Sequence, residues 1–103
     1  MLFTITLHHG GKIEGDKYKN YNNGKVTYID IVDGDTFSIP ELNRMVMRLG
    51  YPEKTVLLYH YIDLRSDINR DLRDLRNDTD VIEFLGWVRQ YKVMEIYYNH
   101  LSL

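Results

Sequence analysis

Cysteine is absent from the 103 residues of this chain. That absence excludes a disulfide-stapled scaffold and a thiolate metal site, and it suits a reducing compartment. Serine is scarce, at Ser38, Ser66 and Ser102 only. None has a base beside it in sequence and no Gly-x-Ser-x-Gly turn exists, so covalent catalysis lacks a nucleophile. No apolar run is long enough to span a bilayer, and no basic start followed by a long apolar stretch marks a secretory signal. A Gly-rich phosphate loop ahead of a helix is missing too. Charge of one sign is lacking as well, since the formal net charge is −2, which argues against a general nucleic-acid binder.

What is present is ordinary for a globular domain: 44% hydrophobic and 27% charged residues. A chain of this length buries about two-thirds of its extended surface, enough for one core, so residues 1–103 are read as one domain. Tyrosine is the exception, with nine copies. Its ring packs well on a pleated sheet while its hydroxyl reaches water, so the load points to many strands; a stacking surface for bases is the alternative.

The residues alternate between strand and helix patterns. Phe3, Ile5 and Leu7 face one way and Thr4, Thr6 and His8 the other, the period of a half-buried strand. Gly10-Gly11 offers a tight hairpin turn, with Lys12-Ile13-Glu14 beginning a return strand. Asn23-Gly24 signals a second turn before a strand over Val26–Val32, and Lys17 to Tyr21 is open between strand and loop. Ser38, Pro40 and Glu41 open a helix whose apolar stripe is Ile39, Leu42, Met45, Val46 and Leu49, closed by Gly50. Thr55–Ile62 reads as a central strand, and Leu72 with Leu75 marks a short strand or turn. Asp78-Thr79-Asp80 supplies caps for a second helix, with Asp80 and Glu83 at capping-box spacing and Val81, Phe84, Leu85 and Val88 as its stripe. Val93 to Leu101 closes the chain as a strand. Two single-striped helices and one mixed sheet imply an α+β, ubiquitin-like β-grasp of order ββαββαβ, with both helices packed on one face.

Catalytic and metal constellations do not emerge. Asp33 with Asp35 and Asp78 with Asp80 sit where turns and caps need short acids. His8 and His9, adjacent on a strand, point to opposite faces and cannot easily share one ion. Asp33-Gly34-Asp35 lacks the acid spacing and distal Glu of a calcium loop. No cofactor is expected, and no small-molecule substrate. Charge is uneven along the chain. Lys12, Lys17, Lys19 and Lys25 outnumber Glu14 and Asp16, whereas between Asp63 and Glu83 the acids outnumber the arginines. Opposed charge on one domain suits a copy of itself as partner; the alternative is a solvated surface of local ion pairs.

Phe-Thr-Ile-Thr-Leu-His-His-Gly-Gly from Phe3 to Gly11 resembles the opening of a plant domain found ahead of Mutator-like transposase catalytic regions, itself similar to the Phox-and-Bem interaction module. The resemblance continues through Val32-Asp33-Gly34-Asp35, Leu49-Gly50-Tyr51, Asn77-Asp78-x-Asp80-Val81 and Asn99-His100. It implies a non-catalytic, intracellular and nuclear adaptor that pairs with itself or with a related domain, without direct nucleic-acid or membrane binding. It further implies an acidic side, here Asp63, Asp67, Asp78, Asp80 and Glu83. The basic side falls on His8 and His9, with Lys12, Lys17 and Lys19 beyond the turn. The first strand has no lysine and arginines interleave the acids, so a strand-edge interface using tyrosines stands beside electrostatic pairing. A nucleic-acid-binding module assisting a transposase is the alternative function.

Overall fold

The computed structural model describes residues 1–51, 56–63 and 65–101. Among these residues, seven strands and two helices run in the order β1 (Leu2–His9), β2 (Lys12–Glu14), β3 (Asn20–Asn22), β4 (Lys25–Asp33), α1 (Ile39–Met47), β5 (Val56–Ile62), β6 (Arg73–Asp74), α2 (Asp78–Tyr91) and β7 (Val93–Leu101). Thr55, expected at the start of the central strand, lies outside the described residues. The main sheet has the order β4-β1-β7-β5-β6, and β2 with β3 forms a separate ribbon. β1 runs antiparallel to β4 but parallel to β7, so the sheet is mixed and its first and last strands are neighbours at the centre. With the ribbon set aside, this is the expected β-grasp.

Both helices cover one face. The odd residues Phe3, Ile5 and Leu7 of β1 and the even residues Met94, Ile96 and Tyr98 of β7 point into a common core. There they meet Leu42 and Val46 of α1 and Val81, Phe84 and Val88 of α2. All three phenylalanines join this layer, with Phe3, Phe37 and Phe84 at centroid separations of 5.2–5.9 Å.

The return strand is not the one read from the glycine pair. Lys12–Glu14 does not fold back on β1; it pairs with β3, Ile13 opposite Tyr21. The strand returning along β1 is β4, with His9 opposite Lys25. β2 has one apolar residue to bury, Ile13, whereas β4 turns Ile29 and Val32 toward the core, so β4 gains more by pairing there. Gly10, with φ of +79°, turns the chain out of the sheet. A Cβ on Gly11 would stand 2.3 Å from the Asn22 carbonyl, so glycine is what lets the ribbon close. The Asn-Gly turn is real, with Asn23 left-handed, but it links β3 to β4, two strands that belong to different sheets and do not pair with each other. The open stretch divides: Lys17 and Tyr18 bend, and Asn20 enters β3.

Helix α1 starts as read, Ser38 Oγ accepting from the Glu41 amide at 3.2 Å. Glu41 pairs its carboxylate with Arg44 one turn on. In α2 the cap sits one residue earlier than the acids suggest: Asn77 Oδ1 accepts from the Asp80 amide at 2.9 Å. Asp80 in turn accepts from the Arg76 amide at 2.9 Å, and Glu83 faces Arg73 at 3.6 Å. Leu75 is fully buried directly after the two-residue β6.

Asn77→Ala is therefore expected to lower the unfolding free energy by about 1 kcal/mol, while Asp78→Ala costs only a few tenths through the helix dipole. Urea denaturation of both variants checks this; the reverse order would return the cap to Asp78.

Candidate functional site

Adjacent positions on β1 separate the two histidines expected on the basic side. His8 lies on the sheet face away from the helices, stacked on Tyr97 at 4.2 Å with Nε2 3.0 Å from Glu95 Oε1. His9 faces the opposite way and is 6% exposed. Its Nδ1 lies 2.6 Å from Tyr51 Oη and its Nε2 2.8 Å from Thr27 Oγ1. Burial, then the charges of Lys25 and His8, lowers its pKa below 6.5. His9 is a satisfied, neutral core residue and offers no charge to a partner, which corrects its assignment to the basic surface. Lys12 and Lys17 are exposed, and neither they nor Lys19 and Lys25 form an ion pair among the described residues.

The acidic side is thinned in a similar way. Asp63 is 4% exposed and accepts from the Arg65 amide at 2.8 Å, so it holds its own loop and is not available at a surface. Asp67 accepts from the amides of Asn69 and Arg70 at 2.8 and 3.1 Å. Asp80 is tied to the helix start and Glu83 to Arg73. Asp78 remains exposed in the first turn of α2.

Arg73 organises this region, and charge counting along the chain does not find it. Its guanidinium grips Asp71 through two nitrogens at 2.8 and 3.3 Å and lies 4.4 Å over the Trp87 ring. It holds the Asp71 carboxyl below its ordinary range by hydrogen bonding. Arg65 approaches Tyr91 and Trp87 at 5.5 and 5.9 Å. The available signal was the spacing of Trp87 and Tyr91, one turn apart on a helix whose apolar stripe uses neither.

The two charged sides also touch. The Lys19 amide donates to Asn69 Oδ1, joining the ribbon to the acidic loop. Tyr21 fastens the ribbon by donating its hydroxyl to the Tyr98 carbonyl and accepting from the Gly11 amide at 3.1 Å. Burial pushes the Tyr21 phenol up to about 12. Tyr59, Tyr61, Tyr97 and Tyr98 are buried, while Tyr18 and Tyr28 are each 69% exposed. Tyrosine here is mainly a core and ribbon residue, as the strand reading expects.

The model of the PB1-like domain family matches residues 1–100. This chain belongs to the PB1-like domain family. A cryo-EM structure of the AtNBR1-PB1 filament (L-type) superposes with a TM-score of 0.67 at 14% identity, covering 98% of this chain and 99% of that one. At that identity the likeness establishes the fold. No curated protein matches the sequence. In this PB1-like chain Lys12, Lys17 and Lys25 are exposed, as are Asp67, Asp78 and Glu83, of which Asp67 and Glu83 already bind groups of their own chain.

Two histidines set a pH dependence. Burial also lowers the pKa of His60, outweighing Asp74, whose Oδ1 lies 3.2 Å from its Nε2. The unfolded chain then binds more protons than the folded one near and below pH 6.5, the ordinary value for both rings. Their contribution is complete above that value and is lost as pH falls through the lowered folded values, by at most about 1.4 kcal/mol per pH unit per ring. Denaturant melts between about pH 7.5 and 5 should show this fall, and His9→Gln should make it shallower; a slope that His9→Gln leaves unchanged counts against a neutral His9.

Proposed function

We propose that this PB1-like domain, spanning residues 1–103, is a non-catalytic interaction module that associates with copies of itself or with a related domain. The carrying observation is the coexistence of exposed lysines that form no ion pair among the described residues (Lys12, Lys17 and Lys25) and exposed acids (Asp67, Asp78 and Glu83) on one domain of this family. Such a pair of surfaces is complementary between molecules, because each chain carries what the next one needs. The filament named for the AtNBR1 PB1 domain supports self-association as a mode open to this fold. The resemblance of Phe3–Gly11 and Asn77–Val81 to the domain preceding Mutator-like transposases supports a plant nuclear setting in a transposase or a protein derived from one. Asp33 and Asp80 accept from backbone amides and Asp71 is held by Arg73, which supports a binding role over acid–base chemistry at these carboxylates.

A nucleic-acid-binding role draws less support. Seven of the nine tyrosines are buried or half-buried, which leaves Tyr18 and Tyr28 for stacking on bases.

Sedimentation velocity over a concentration series is expected to show association that weakens as salt rises toward about 1 M, where the Debye length falls to about 3 Å. Lys17→Glu and Asp78→Lys should each weaken it by about fivefold or more, roughly 1 kcal/mol. Mixed together, they should form pairs that do not extend, since each variant keeps one intact surface. A strict monomer that captures no partner rejects the module reading. Association indifferent to salt and to both reversals rejects its electrostatic form.

A further inference from the structure

A cleft of about 380 Å³ opens between the segment that follows β5 and helix α2, on the side that charge counting along the chain reads as acidic. Arg65, Arg70 and Arg73 line it together with Asp63, Asp71 and Trp87. Both acids are spent within the chain. Asp63 is buried, accepts from the Arg65 amide at 2.8 Å and stands 4.0 Å from Arg65 Nε. Asp71 takes Nε and Nη2 of Arg73 at 3.3 and 2.8 Å, and accepts from the Ser66 hydroxyl at 3.4 Å. The third nitrogen of Arg73, Nη1, faces Glu83 at 3.6 Å, so this arginine is neutralised in turn. Arg65 and Arg70 are not. The Arg65 side chain is 66% exposed, and its approach to Asp63 is at the outer limit of an ion pair. Arg70 is exposed and forms no ion pair among the described residues. The cleft therefore carries uncompensated positive charge inside a segment whose formal charge is negative.

Two observations select a carboxylate as the group this cleft takes. One carboxylate is already held there. The Asp71 carboxyl is kept below its ordinary range, chiefly by the hydrogen bond from Arg73 and with a further contribution from the charge of Arg70. The local field thus favours the ionised form of a carboxyl group. The second observation is how Arg65 is held. Its guanidinium lies 5.5 Å from the centre of the Tyr91 ring and 5.9 Å from that of Trp87, two rings that stack on each other. A guanidinium resting on rings keeps its N–H donors, which lie in its own plane, for a planar acceptor. A carboxylate takes two of those donors at once. Contact with the rings also restricts a long side chain before a partner arrives, which lowers the entropy lost on binding. The lysines of the ribbon have neither feature.

We propose that this cleft binds an acidic side chain, aspartate or glutamate, presented by a partner protein. Arg65 pairs with the carboxylate, Arg70 adds a second positive charge, and Trp87 offers apolar contact to the methylene stem. The inference rests on the interaction-module reading and deepens it, because the side expected to attract lysines also carries a receptor for acids. A partner segment with both signs of charge satisfies that side better than a purely basic one.

Trp87 is the single tryptophan of the chain, so its fluorescence reports on this cleft. The probe is a hexaglutamate peptide with both ends blocked, titrated into the intact chain at low salt, with hexalysine as control. Hexaglutamate is expected to change the Trp87 emission saturably, with a dissociation constant of about 1 mM or below that rises with salt. Hexalysine should not. Arg65→Gln and Arg70→Gln should each weaken hexaglutamate binding about fivefold with the far-ultraviolet circular dichroism unchanged. Arg65→Lys should still weaken it about threefold, because an ammonium lacks the planar fork. Lys12→Gln, in the ribbon, should leave it unaltered. An emission that hexaglutamate does not change overturns the proposal, as does binding that survives both glutamine substitutions in folded protein. Inorganic phosphate that changes the emission where hexaglutamate does not overturns the carboxylate assignment. Self-association is read separately, by sedimentation of the Lys17 and Asp78 variants, and stands or falls without this cleft. A strict monomer that binds hexaglutamate through Arg65 and Arg70 upholds the cleft and rejects self-association.

Discussion

The whole arrangement depends on the parallel pairing of β1 with β7, the first and last strands. Every other pairing in the main sheet is antiparallel. β4 holds to β1, and β5 with β6 holds to β7, so the two halves of the sheet meet only along this seam. Thr4 to His8 pairs in register with Val93 to Tyr97, and the Thr4 amide reaches the Lys92 carbonyl at 2.9 Å. The seam closes a loop of nearly the whole chain, which is costly in entropy before any contact is gained. It is sustained because both strands turn three large apolar side chains to the same face, under both helices. Lys92 makes this possible by taking a left-handed conformation, with φ of 60°, that ends α2 and starts β7 without a connecting loop.

The sequence is most readable where one side chain's direction decides the element. Alternation in Leu2 to His8 and in Met94 to Asn99 is a local property, and so are the helical stripes of Leu42 with Val46 and Phe84 with Val88. Pairing partners are a different matter. Gly10-Gly11 states that the chain turns but not which strand it turns toward, and the outcome was set by the apolar surface of β4, fifteen residues later. The cap of α2 was misplaced for a similar reason. Asn77 and Asp78 are equally good cap residues, and which one leads depends on where Leu75 is anchored in the core. His9 shows a third limit, since a strand position tells its face but not that Tyr51 and Thr27 wait there for both ring nitrogens.

Charge was the feature most altered by folding. Between Asp63 and Glu83 the sequence carries a surplus of acid, yet Asp63, Asp67, Asp71 and Asp80 all bind groups within that segment. Arg73 takes Asp71 and Glu83 together while its flat face rests on Trp87, an arrangement that lysine could not reproduce. The charge able to act on another molecule is therefore smaller than the formal count, and it is set by which acids the chain's own amides and arginines have not used. The lysines of the ribbon differ, because a mobile ammonium on an exposed turn stays hydrated and available.

Lys25 is exposed and begins β4, whose outer edge no described strand covers. Val26, Tyr28 and Ile31 are exposed on the same strand, so apolar side chains and a lysine share one edge. The two features respond differently to solution conditions: charge pairing between exposed groups weakens as ions screen it, whereas backbone pairing and burial of apolar side chains are little affected by salt. The left-handed conformation of Ile31 bears on that edge, because straightening it would lengthen the stretch able to accept a further strand and make the sheet edge more adhesive.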